Sequence, residues 1–148
     1  MGNSIFTPEL CEALFQAPKA MASAIAWRAS NPSTFLFQAK VLVNDGTVLD
    51  LAGYWCHNSY HQHRRWGFSL MIGGFCIRSY DMSRRHKNPA NGTVRGPHKH
   101  RFQSSKILRF AYKPEPPIHA TDPNQALMDF LREANIALPD DYQNVMFP

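Results

Sequence analysis

No stretch of the 148 residues approaches 18 consecutive apolar positions, so the chain encodes no bilayer-spanning helix. Cysteine is scarce: Cys11, Cys56 and Cys76 are odd in number, scattered and without a CxxC pair. That pattern excludes a disulfide-stapled scaffold and fits buried thiols in a reducing compartment. The opening MGNSIFTPEL lacks the basic start and apolar stretch of a secretory signal, and the myristoylation pattern after Gly2 fails at Phe6. A cytoplasmic location without membrane association is expected. Repeats and low-complexity segments are missing too. With 44% hydrophobic residues a packed core is within reach, and 1–148 reads as a single domain.

Acidic residues are the remaining shortage, and it is local. The segment 78–101 holds Arg78, Arg84, Arg85, Lys87, Arg95, Lys99 and Arg101 against Asp81 alone, a net +6 in a chain of net +5. The remainder is close to neutral (5 − 6 = −1). A positive field this concentrated implies an anionic partner, either nucleic acid, a phosphorylated ligand or an acidic protein; the plain alternative is a solvated loop.

Local patterning puts helices at the ends and strands between them. Thr7 is a good N-cap and Pro8 suits the first helical position, which predicts helix over roughly 7–28. Pro18 splits or kinks it, and Ala20 to Trp27 resume it. Phe35, Phe37, Ala39, Val41 and Val43 then alternate with polar neighbours, and Asp45-Gly46 separates them from Thr47 to Tyr54. This is the pattern of a hairpin closed by a type I′ turn, with both turn residues at positive φ. WCHNSYHQHRRW (55–66) reads as a loop or a continuing strand. A third strand is expected over 67–79 with a bulge or close backbone approach at Gly73-Gly74, then a turn-rich connection over 82–98. A fourth strand falls at 98–102, at 106–112, or at both. Asp122, Pro123 and Gln125 start a last helix with Leu127, Phe130, Leu131 and Ala134 on its apolar stripe. The fold class predicted is α+β: an antiparallel β-sheet of about four to five strands with N-terminal and C-terminal helices packed on one face.

The chemistry concentrates in TVRGPHKHRF (93–102). If 98–102 is extended, His98 and His100 share one side while Lys99 and Arg101 take the other, and Pro97 stiffens the entry. Two such imidazoles are a half-site for a metal, with Asp81 or His86 as third ligand. They are equally an acid/base pair for a phosphodiester, one taking a proton from a 2′-hydroxyl and the other giving one to the leaving oxygen. Arg78, Arg85 and Lys87 are then candidates to stabilise charge on phosphorus oxygens. They are also, more simply, strand-end histidines bonded to backbone or water. A second group, His57, His61 and His63 among aromatics and arginines, suits stacking of single-stranded nucleic acid or a loop rim.

Read together, CIRSYDMSRRHKNPANGTVRGPHKHRF, YKP and FLREANIALPDDYQ resemble a family of small bacterial and phage proteins of unknown function. Its core runs from an arginine and aspartate at a strand end through His-x-Asn-Pro and Gly to Pro-His-x-His, with a late helix ending near Asn-Ile. The matching residues are Arg78, Asp81, His86, Asn88, Pro89, Gly92, Pro97, His98, His100, Asn135 and Ile136. The same core is similar to that of TumE-type toxins, although Asp81 lies one residue further from Arg78 and the RRHKNPANGTVRG insertion is longer. The resemblance implies the toxin half of a toxin–antitoxin pair acting on RNA.

The leading expectation is an RNA-acting, toxin-like protein, a candidate metal-independent ribonuclease that needs no cofactor. His98 and His100 are its acid/base residues, His86 a third candidate, and Asp81 the group that orients an imidazole. Arg78, Arg85, Lys87, Lys99 and Arg101 are the phosphate-binding set. Nucleic acid is the expected partner, RNA ahead of DNA, with an antitoxin or host protein as a further one. Two alternatives stand beside it: a non-catalytic phage-type protein contacting nucleic acid or a host protein through its basic face, and a metalloprotein using His86, His98 and His100.

Overall fold

The computed structural model describes residues 7–58, 63–88, 92–101, 111–112, 122–138 and 142–144; at 57–58, 63–64, 82–88, 92–101 and 111–112 the description is of the backbone and its pairing. The first helix, α1 (Pro8–Gln16), starts as its residues dictate. Thr7 is extended and its Oγ1 accepts the Leu10 N–H at 3.1 Å, with Pro8 in the first turn. The helix stops before Pro18, and the Ala20–Trp27 stretch does not resume it. Lys19–Met21 instead forms β1, wedged between two other strands, and 22–27 is irregular. Intrinsic propensity lost here to sheet pairing, which engages all three residues on the β3 side and Lys19 and Ala20 on the β9 side.

The sheet continues through β2 (Arg28–Asn31), β3 (Thr34–Val43), β4 (Val48–Asn58), β5 (His63–Ile72), β6 (Phe75–Asn88), β7 (Gly92–Arg101) and β8 (Ala111–Tyr112). After α2 (Pro123–Glu133) comes β9 (Ile136–Ala137), which pairs in parallel with β1. The order is β8-β7-β6-β5-β4-β3-β1-β9, with β2 on β3. The class is therefore α+β, with nine strands among the described residues rather than the four to five expected.

Three local features account for the difference. Gly73 and Gly74 both take positive φ (52° and 84°) and make a two-residue hairpin turn, splitting the expected third strand into β5 and β6. The 82–98 segment, expected as a connection, pairs as β6 with β7 on either side of residues 89–91. The 55–66 stretch extends β4 and β5, with 59–62, including His61, outside the described residues. Of the expected fourth strand, β7 covers 98–101 and β8 covers 111–112, and 102–110 also lie outside.

The Asp45-Gly46 corner joins β3 to β4 as expected, but only Gly46 has positive φ (94°). Asn44, Asp45 and Gly46 form a three-residue loop in which Gly46 N–H donates to Val43 O at 2.9 Å and Val43 N–H to Thr47 O at 2.8 Å. The Asp45 carboxylate accepts the Thr47 N–H at 2.9 Å, so its own backbone need not enter the left-handed region.

Alternation then sorts the sheet into two faces. Phe37, Ala39, Val41, Leu49, Leu51, Trp55, Trp66, Phe68, Leu70 and Tyr80 are buried on one. Phe130 of α2 meets Phe68 (6.3 Å between centroids), Tyr80 (4.6 Å) and Phe15 of α1 (6.5 Å), so both helices feed this core. Asp122 caps α2, its carboxylate accepting the Asn124 N–H at 3.0 Å. At the far end Asn135 takes the left-handed conformation (φ 56°) and turns the chain into β9.

Two cations are buried in this layer. Lys19 donates from Nζ to the carbonyls of Phe15 (2.6 Å), Ala17 (2.7 Å) and Ala134, tying the ends of both helices to β1. Arg78 is ion-paired to Glu12 of α1 and lies 3.7 Å from Glu133 of α2, its guanidinium 4.0 Å from the Phe15 ring centre. A register shift between Leu70 and Met71 makes this possible: Ile77 is the extra residue, so Ile77 and Arg78 are both buried.

Burial lifts the Glu133 carboxyl to about 7, with Arg78 opposing the rise and Glu12 adding to it. Between the ordinary value of 4.5 and about 7 the folded form keeps a proton that the unfolded chain has released. The Glu133 contribution to stability is thus fully present below that window, falls as pH rises through it, and is level above. Glu133→Gln should gain on the parent by on the order of 3 kcal/mol between about pH 4 and pH 8 in denaturant titrations. Parallel profiles for parent and variant would refute this.

Candidate functional site

The second face of the sheet carries the polar residues. Leu36 on β3, Tyr54 on β4, Gly67 on β5 and Asp81 on β6 form one cross-strand row, continued to position 98 on β7. The adjacent row runs Gln38, Ala52, Ser69, Ser79 and position 100. Arg28 on β2 pairs with Leu36, and Arg65 on β5 pairs with Cys56, so both belong to this face as well.

A pocket of about 470 Å³ opens here, lined by Arg28, Gln38, Tyr54, Ser79 and Asp81 among others. Its shape depends on the missing side chain at Gly67. A Cβ there would overlap the Tyr54 ring and come within 2.7 Å of Asp81 Oδ1. Tyr54 therefore lies across the Gly67 backbone, toward Asp81. Ser79 Oγ donates to Asp81 Oδ2 at 3.3 Å. Burial, helped by Asp81, raises the Tyr54 hydroxyl to about 12 although Arg65 opposes it, so the phenol stays neutral and a donor. Burial, again with Asp81, raises the Cys76 thiol to about 12, which makes it a poor nucleophile.

The residues singled out from sequence fall into three groups. Asp81 is on the pocket, and the register sets His98 opposite Asp81 and His100 opposite Ser79. Directly opposed positions of an antiparallel pair share a face. Positions 99 and 101 pair with Tyr80 and Arg78, which belong to the other face. His86 pairs with Val94 beyond a second register shift, four positions along β7 from His98 and so about 13 Å away. Positions 85 and 87, opposite 95 and 93, alternate with it onto the face of positions 99 and 101, so the register does not bring them to 98 and 100 as expected. Arg78 lies furthest from its expected role: it is 5% exposed and engaged by Glu12 and Glu133 in the helix layer.

No group of three or more metal-ligating side chains occurs among the described residues. Nor is any helix there long and apolar enough to cross a membrane. The sequence reading passed over Tyr54, Gly67, Ser79 and Arg28. The available signal was a glycine interrupting a strand otherwise rich in large residues, which marks a close approach. Compared with protein-family models, curated proteins and solved structures, the chain matches none.

Proposed function

We propose that the protein acts on single-stranded RNA as a metal-independent ribonuclease, with His98 and His100 as its acid/base pair. The observation that supports this reading is the β6–β7 register, which sets His98 opposite Asp81 and His100 opposite Ser79 beside the pocket. One neutral imidazole accepts the 2′-hydroxyl proton as that oxygen attacks phosphorus. The bond from phosphorus to the 5′-oxygen breaks, the protonated imidazole gives that oxygen its proton, and a 2′,3′-cyclic phosphate remains. Asp81 keeps one ring oriented and favours its charged form. An antitoxin would act by covering this face.

Purified protein incubated with total RNA in EDTA should cleave, and His98→Ala/His100→Ala should reduce the rate by at least about 100-fold. Equal cleavage by parent and variant removes the reading. The alternative, binding without turnover, is favoured by the basic segment forming two paired strands, which brings positions such as 85 and 95 directly opposite one another. It requires an affinity that falls steeply with salt while no product forms.

A further inference from the structure

We infer that the pocket over Tyr54 is a stacking subsite for one unpaired base of a single-stranded RNA. This rests on the RNA-acting reading above and deepens it by naming where a base sits. The first observation is geometric. Tyr54 stands directly opposite Gly67, and its ring occupies the space that a side chain at 67 would fill. An aromatic ring laid along a sheet covers backbone with one side and offers the other to a ligand. Tyr54 is only half-buried and lines a pocket of about 470 Å³, within the range of sites that hold small planar molecules.

The second observation is charge. Arg28 and Arg65 are exposed on this same face, Arg28 at the β2 end of the Tyr54 row and Arg65 in the neighbouring row through Cys56. Lys40, further along, is already paired with Asp50. Cations flanking an aromatic platform are the arrangement that tracks a phosphate backbone while bases stack, and a duplex cannot use it because its bases are already stacked. At one end of the ring, Asp81 and Ser79 supply the polar edge that a stacked base meets.

The test uses full-length protein carrying His98→Ala/His100→Ala, so that RNA stays intact, and a short fluorescein-labelled RNA followed by anisotropy. Tyr54→Leu keeps apolar bulk over Gly67 but has no π-face, and Tyr54→Phe keeps the ring. Tyr54→Leu should weaken single-strand binding by about 5- to 100-fold, Tyr54→Phe should stay within about 2-fold, and the matching duplex should bind more weakly. Equal affinities for the Leu and Phe variants, equal binding of duplex and single strand, or no binding at all would each overturn the subsite. Cleavage by the parent alongside Tyr54-independent binding would leave the ribonuclease reading intact. Tyr54-dependent binding without cleavage by the parent would leave the subsite and remove the catalysis.

Discussion

Arg78→Met is expected to lower the unfolding free energy by about 3–5 kcal/mol, measured by urea titration near neutral pH. The guanidinium side chain is 6% exposed, ion-paired to Glu12 and 3.7 Å from Glu133. Methionine retains the length and packs against Phe15, so the loss isolates the charge. What remains is a poorly solvated Glu133 carboxyl that Arg78 no longer holds down, so it either takes up a proton or stays buried with less compensation, the costly case for a broken pair. Adding Glu133→Gln should recover much of the stability, because both charged partners of the inner contact are then gone. Arg78→Lys should fail to rescue, since a compact ammonium cannot serve two carboxylates and cover a ring together. A loss under about 1 kcal/mol for Arg78→Met would mean that the pairing contributes no more than a surface ion pair.

Lys19→Met should cost about 3 kcal/mol or more in the same titration, because three carbonyls lose their donor at once. Burial brings the Lys19 ammonium down to about 8, so it is still charged at neutral pH and all three protons are available. The carbonyls belong to the last turn of α1, the link after it, and the end of α2, where helix dipoles are negative. Methionine fills the space and supplies no donor. If Lys19→Met melts within about 2 °C of the parent, these carbonyls have found other partners and the cation is dispensable.

These two cations show where reading from sequence stops. The helix caps were legible because Thr7-Pro8 and Asp122-Pro123 act within a few residues of themselves, as was the hairpin around Asp45-Gly46. Arg78 was read as a surface group because an arginine in a basic run looks solvated. Only the bulge at Ile77, together with carboxylates 66 and 55 residues away, turns it inward. Gly73-Gly74 was read as a bulge or close approach inside one strand, since glycine suits that as well as a turn, and the choice depended on β6 folding back on β5. In the candidate site, the closeness of Asp81 to positions 98 and 100 is a matter of register between strands. The corners within 82–98 hid it, because Asn-Gly and Gly-Pro suggest loop as readily as hairpin. Tyr54 was passed over because alternation marks a face without saying which one meets solvent.

The parallel pairing of β1 with β9 has a consequence for the order of assembly. From β3 to β7 each strand pairs with its successor, so most of the sheet needs only short loops to close and can form early. The β1–β9 contact, with the Lys19 link to Ala134 across 115 residues, closes a loop spanning most of the chain and carries the largest entropic cost. The meander of hairpins is therefore expected to pair ahead of the β1–β9 closure, leaving Phe15, Phe68 and Tyr80 to be covered when Phe130 of α2 docks.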